Sequence, residues 1–380
     1  MSKIAIVHDY FTQRGGAERV AEQLCAMLPE ADVFSTVALP KMLPATLSSD
    51  QVRTSWMQSL PGIEKYHRYY FAIYPLGVRS LDLTEYDIVI TSSSGYAKGV
   101  RTRPDAFHIC YCHTPMRWVW RYDDYAQREN FGASARYVLP IVLKALRLWD
   151  CNAARQPDQF VANSRIVAER IESVYGRHSV VIPPPIDVNR FHITSDQEDY
   201  FLVLSRLVAY KRIDIAIAAC NLLGRNLKII GEGPDRKRLE EMAGPTVEFV
   251  GRVADADIQQ YVGKCRALLF PGEEDFGMVP LEVASAGRPT IAFRGGGATE
   301  TIIDGITGLF FDKPETASLV AALEEFPQHI WSPYLLRNHA MQFDIQVFRN
   351  QFLQLLKSIG INLGANHYTM TPAFNEPMVS

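Results

Sequence analysis

Twelve short apolar runs, most of them followed by a stretch of helical period, divide the chain, and that alternation admits few architectures. A run too short for a helix, yet apolar throughout, reads as a strand buried on both faces of a parallel sheet. The helical stretch is then the crossover to the next strand. Candidate strands are residues 4–8, 33–36, 87–91, 108–113, 159–162 and 180–182, then 201–205, 227–230, 247–250, 267–270, 290–293 and 308–311. Helical period is clear at 17–28, 213–223, 234–242 and 278–286. Sandwiches and bundles do not alternate in this way.

The series breaks at Pro183-Pro184-Pro185, where three residues without backbone donors hold the chain extended. A chain of 380 residues exceeds what one core serves. The expectation is an α/β protein of two doubly wound, Rossmann-like domains, 1–182 and 186–345. Residues 346–380 read as a C-terminal helix and tail: 344–359 has helical period and can pack on either domain, and the stretch from Asn362 reads as a loose tail.

With 39 basic and 42 acidic residues the chain has a net charge of −3, so no global positive field holds a nucleic acid. The charge is uneven: residues 1–180 carry 21 basic against 18 acidic groups, the remainder 18 against 24. Of the six cysteines only Cys110 and Cys112 are close, on one strand face and without zinc spacing, which reads as a reduced, cytosolic protein. The start, MSKIAIVHD, has no apolar signal region, and no run is long enough to span a bilayer, so a cytoplasmic location is expected.

Ligands of open parallel sheets bind beyond the carboxyl ends of the strands. After the first strand, Gly15 and Gly16 open a helix whose amides suit a phosphate, unless the pair serves only as a turn. The dinucleotide fingerprint G-x-G-x-x-G is absent there, which argues against a nicotinamide dehydrogenase. Pro115 is architectural at a helix start, but His113 ends a strand facing the expected cleft and is a functional candidate. In the second half Arg206 and Lys211 span a strand-to-helix loop; they can converge on one anion such as a diphosphate, or remain a solvated pair. Gly231-Glu232-Gly233 is either a seat for a flat base or a plain turn. Glu274 precedes a helix and Glu282 lies on it, so both can face one mouth as acid and base or as acceptors for sugar hydroxyls. The loop Gly295-Gly296-Gly297, closed by Glu300, offers another close approach.

Taken together, these residues resemble the retaining glycosyltransferases of family 4, which have the GT-B fold of two Rossmann-like domains across a cleft. The most specific element is Glu274-x7-Glu282 with Phe276-Gly277 inside it, followed by Ala284-Ser285-Ala286-Gly287-Arg288-Pro289. The resemblance implies that Arg206 and Lys211 hold the donor diphosphate and stabilise the leaving nucleotide, and that Glu282 accepts the ribose hydroxyls. Glu274 and the amides of Phe276, Gly277 and Met278 would position the sugar, with His113 beside it and the Gly16 amide on the phosphate. It adds Gly15, Gly231, Gly233 and Glu300 to the donor site, retention of configuration, and chemistry that needs no metal and no cofactor beyond the nucleotide-sugar. No Asp-x-Asp lies where a metal-bound diphosphate would need one.

The segment Cys112–Arg117 further resembles bacterial mannosyltransferases that use GDP-mannose in O-antigen or exopolysaccharide synthesis; a UDP-sugar donor is the alternative. Residues 62–81 interleave Tyr66, Tyr69, Tyr70, Phe71 and Tyr74 with Lys65, Arg68 and Arg79. That pattern suits an anionic membrane at the cytoplasmic face of an inner membrane, where a lipid-linked saccharide acceptor would wait, or else an amphipathic segment packed on its own domain. A sugar-nucleotide epimerase of the same fold would share the donor half. An exported sugar-binding protein would need the signal that the start of the chain lacks.

Overall fold

The computed structural model describes residues 2–121 and 135–361, and in them the expected strands form two fully parallel sheets. The first holds β1 (Ile4–His8), β2 (Asp32–Ser35), β3 (Val52–Thr54), β4 (Ile88–Ser93), β5 (Phe107–Cys112), β6 (Gln159–Ala162) and β7 (Ser179–Val181), in the order β3-β2-β1-β4-β5-β6-β7. The second holds β8 (Phe201–Leu204), β9 (Leu227–Ile230), β10 (Val247–Gly251), β11 (Leu268–Phe270), β12 (Thr290–Phe293) and β13 (Gly308–Phe311), in the order β10-β9-β8-β11-β12-β13. Each is doubly wound, with its strand order reversing between β1 and β4 and between β8 and β11. Crevices at these two points are where such sheets take ligands. This is the GT-B architecture. The strand β3 was not anticipated: a three-residue edge strand, VRT, has neither an apolar run nor an alternation long enough to register.

Core packing follows from the burial of both sheet faces. On one face of the first sheet, Val20, Ala21 and Leu24 of the helix Gly16–Met27 pack on Ile6, Ile88 and Ile90. On the other, Ile63, Tyr74 and Val78 meet Ala5, Val7 and Val89, together with Leu143 and Leu146 of the helix Ala135–Ala153. That long helix is tied down by a charge pair excluded from solvent, Lys98 Nζ to Asp150 Oδ1 at 2.6 Å. Trp120 Nε1 and the Tyr175 hydroxyl, each at 2.7 Å, donate to the other carboxylate oxygen. A buried pair with its remaining lone pairs satisfied is held firmly, and removing one partner costs about 3–5 kcal/mol.

The chain crosses between the sheets twice, and the crossings run side by side. Ile186, just past the three prolines, donates its N–H to Phe343 O at 3.0 Å and accepts from Ile345 N at 3.2 Å. After the second crossing the helix Ile345–Ser358 returns to the first domain, where Phe348, Phe352, Leu355 and Leu356 complete the same core as Val20 and Leu24. The segment from Asn362 lies outside the described residues. The six cysteines are unpaired.

Phe352 is fully buried, so Phe352→Ala leaves a cavity in a core more than 300 residues away in sequence. We expect a loss of about 3–5 kcal/mol from the unfolding step of the first domain, read by urea titration of its half-buried Trp118, Trp120 and Trp149. A loss confined to the second domain's transition would show that the helix packs elsewhere.

Candidate active site

The loops that leave the switch points of the two sheets meet in the cleft. On the first domain, β1 ends at His8, and Asp9 locks the loop beyond β4: its carboxylate accepts from Ser94 N (2.6 Å), Tyr96 N (2.8 Å) and Ala97 N (2.6 Å). The chain then reaches Gly15, which stands extended at the head of the helix Gly16–Met27. A side-chain carbon at Gly16 would lie 2.9 Å from Met278 Sδ, on the opposite domain. A larger residue here would make the Met278 side chain give way.

On the second domain, the loop after β8 carries Arg206 and Lys211 and the loop after β11 carries Glu274. Lys211 Nζ pairs with Glu274 Oε1, both groups being largely buried. Lys211 is pressed against Gly272, where a Cβ would come within 2.7 Å of the lysine Cα, and the next residue, Arg212, is the one non-glycine with a left-handed backbone among the described residues (φ 52°). The two cations do not share one partner: Arg206 Nη1 reaches Gln13 Oε1 of the first domain at 2.7 Å. Gly277, at φ 93°, heads the helix Met278–Ser285, on which Glu282 is buried and pairs across the cleft with Arg19.

Several expected site residues have structural work of their own. Phe276 packs its ring in a cluster with Leu281, 5.8 Å from Phe343, which leaves only its backbone to the cleft. Gly231 and Gly233 are required internally: a Cβ would lie 1.9 Å from Ser205 O at the first and 2.1 Å from Leu207 O at the second. Glu300 accepts from Arg165 N (2.8 Å) and Ile166 N (3.1 Å), capping a helix of the first domain, Arg165–Tyr175. Gly297 N donates to Glu274 O at 2.8 Å, so the glycine loop steadies the Glu274 loop.

His113 follows β5 and is buried. Its Nε2 lies 2.8 Å from Ser92 Oγ, and its carbonyl accepts from Asn163 Nδ2 at 2.9 Å. Burial, and then the neighbouring His8, pushes its imidazole down to about 3.

Sequence reasoning did not anticipate the groups facing the Glu274 loop. Arg117 Nη2 reaches Asp275 Oδ1 at 3.0 Å, Arg121 Nη1 reaches Glu273 Oε1 at 2.7 Å, and Arg170 contacts Asp275 as well as Glu273 (2.9 Å). These arginines hold the Glu273 carboxyl below its ordinary range, chiefly through the Arg121 hydrogen bond. Charge alternation at Glu273-Glu274-Asp275 was a visible signal; the identity of the partners was not. Among the described residues no three His, Cys, Asp or Glu side chains gather as metal ligands would.

Comparison with known proteins gives the family of this fold. Residues 14–190 match the family described as Glycosyltransferase Family 4, and residues 186–328 match Glycosyl transferases group 1. The chain belongs to the group 1/family 4 glycosyltransferases. A GDP-mannose-dependent alpha-(1-6)-phosphatidylinositol monomannoside mannosyltransferase from Mycolicibacterium smegmatis is 30% identical over 220 residues, 49% of this chain and 56% of that protein. A glycogen synthase from Mycobacterium tuberculosis is 28% identical over 187 residues, 44% of this chain and 45% of that one. The match thus spans about half the length of these curated relatives. Among solved structures, Anabaena HepE in complex with UDP has a TM-score of 0.69 at 18% identity, covering 94% of this chain and 100% of its own.

The histidines give this family 4 chain a pH signature. His108, whose Nε2 lies 3.0 Å from Thr91 Oγ1, is likewise pushed down to about 3 by burial, while the ordinary value is 6.5. Between these values the unfolded chain binds protons that the folded chain does not, so stability falls as pH drops from 6.5 towards 3, by at most roughly 1.4 kcal/mol per pH unit for each ring. His113→Gln should remove one ring's share of the slope in denaturant titrations. A slope that survives the substitution unchanged would contradict the assigned burial.

Proposed function

We propose that the chain is a retaining hexosyltransferase that moves mannose from GDP-mannose to a lipid-linked or saccharide acceptor in cell-surface polysaccharide synthesis. The observation that carries the reading is the meeting of Lys211 with Glu274 at the switch point of the second sheet, with Glu282 on the helix that follows. A nucleotide-sugar needs a cation at its leaving diphosphate and acceptors for its hydroxyls, and this cluster supplies both. In the proposed cycle the diphosphate draws Lys211 and Arg206 to itself, and Glu274 and the amides of residues 276–278 turn to the sugar. Glu282, leaving Arg19, takes the ribose hydroxyls. His113 stands on the sugar side, and the Gly16 amide meets the phosphate. Side-chain cations carry the charge of departure, so the reaction as proposed uses no metal.

The mannosyl donor is supported by the Mycolicibacterium relative together with the Cys112–Arg117 segment. A UDP-sugar donor is the second reading, and HepE, solved with UDP, is the neighbour that supports it. GDP-mannose at about a hundredfold its dissociation constant should stabilise the protein by about 2.7 kcal/mol in thermal unfolding, and UDP-sugars should do less. Lys211→Ala should lower transfer at saturating donor on the order of a hundredfold or more. Turnover close to wild type in that variant would remove Lys211 from the reaction.

A peripheral membrane position is proposed for the first domain. Residues 62–81 pack through Ile63, Tyr74 and Val78, yet leave Tyr66, Leu76 and above all Tyr69, which is 80% exposed, beside the exposed Lys65, Arg68 and Arg79. One face is core and the other is free for a lipid headgroup boundary, where each cation contributes about 1 kcal/mol on anionic lipid. Among the described residues no helix is long and apolar enough to cross a membrane. Sedimentation with anionic liposomes should be partial at low salt, lost at high salt, and abolished by Glu at positions 65, 68 and 79 without change in donor binding. A wild-type chain indifferent to such liposomes at low salt would leave the segment a purely internal packing element.

A further inference from the structure

Three buried polar side chains that no part of the proposed cycle uses, Glu18, His8 and Ser92, lie in a row with His113 beneath the cleft. Register puts them there: β1 and β4 are neighbours with His8 opposite Ser92, and β5, next to β4, delivers His113 one residue past its end. Ser92 Oγ stands between the two rings, 3.0 Å from His8 Nδ1 and 2.8 Å from His113 Nε2. On the far side of His8, its Nε2 is 3.9 Å from Glu18 Oε1. Glu18 folds back under the loop because Gly15 has no side chain; a Cβ there would lie 3.0 Å from Glu18 Oε2. The aromatic neighbours Phe11, 4.7 Å from the His8 ring, and Tyr111, 5.1 Å from the His113 ring, fix both planes.

Such a row has a direction. Glu18 Oε1, at 3.9 Å, is too far to accept a hydrogen bond, but its negative charge favours the proton on the ring nitrogen it faces, His8 Nε2, and the other, Nδ1, is then a lone pair. The Ser92 hydroxyl has a single proton, which it must donate to that lone pair. Its oxygen is thereby left to accept from His113 Nε2–H. Reversing the first link reverses every other: His8 protonated on Nδ1 would donate to Ser92, and Ser92 would donate to His113 Nε2.

We propose that Glu18, His8 and Ser92 are positioning residues that fix His113 in the tautomer protonated on Nε2, leaving Nδ1 as the acceptor for a hydroxyl group of the bound sugar. The inference rests on the reading of His113 as a group on the sugar side of the cleft. It assigns a task to Glu18 in the Gly15-Gly16-Ala17-Glu18 sequence, whose glycines alone were singled out before. An outer hydrogen-bond partner that sets the tautomer of a functional histidine is commonly worth about 10- to 100-fold in activity.

Protein labelled with 15N at histidine, examined by long-range proton–nitrogen spectra, reads the tautomer directly, and the His113 signals are assigned by their loss in His113→Gln. We expect Nε2–H in the wild type, and a mixture or Nδ1–H in Ser92→Ala and in Glu18→Gln. Ser92→Ala deletes one oxygen from a tight site without adding volume, so its fold should persist; Glu18→Gln keeps the shape and removes the charge. In both, kcat for transfer should fall about tenfold or more. His113 protonated on Nδ1 in the wild type, or a tautomer unmoved in both variants, would overturn the proposal. A shifted tautomer with unchanged kcat would uphold the relay and overturn the placement of His113 beside the sugar.

Discussion

Two sheets joined by two crossings among the described residues can hinge, and what fixes their relation here is charge placed across the cleft. Arg117, Arg121 and Arg170 of the first domain grip Glu273 and Asp275 of the second, while Arg19 grips Glu282. Ser164 adds a neutral tie, donating from Oγ to Asp275 O at 2.6 Å. The acidic residues on either side of Glu274 are thus committed to the opposite domain, and Glu274 between them turns to Lys211. Alternate side chains of one loop thus turn to the opposite domain and to their own domain's lysine.

This arrangement gives the charged groups of the cleft partners within the protein itself. Each charged group that the family assigns to the donor already has a protein partner: Glu282 has Arg19, Lys211 has Glu274, and Arg206 has Gln13. A half-buried charge without a partner is costly, and Lys211 with Glu274 and Glu282 with Arg19 neutralise each other, whereas Arg206 is exposed and meets only the neutral amide of Gln13. A donor entering such a site exchanges one set of ionic contacts for another. The net gain is smaller than the contacts alone suggest, which favours turnover over tight retention of the departing nucleotide.

The fold was legible because the strands are buried on both faces and therefore spelled in unbroken apolar runs; Ile4–His8 and Thr290–Phe293 could be bounded to the residue. The three-residue Val52–Thr54 at a sheet edge carries no such run. Motif residues were legible by type, since Glu274, Glu282 and Lys211 do gather at the cleft. Their partners were not, because pairing depends on how two domains dock: Arg19 and Glu282 are 263 positions apart. Gly231-Glu232-Gly233 reads in sequence as a seat for a flat base or a plain turn, and in the fold Gly231 and Gly233 make room for the neighbouring strand's loop. Spacing along a chain reports that backbone comes close to something, and only the fold reports what.

The return of the helix Ile345–Ser358 to the first sheet makes the second domain an insertion within the first. During synthesis from the amino terminus, the second sheet and its flanking helices can all be present while the first domain still lacks one wall of its core. The domain begun first is therefore completed last. Until the final helix arrives, the core that Phe348, Phe352, Leu355 and Leu356 complete stays open to water on a nascent surface.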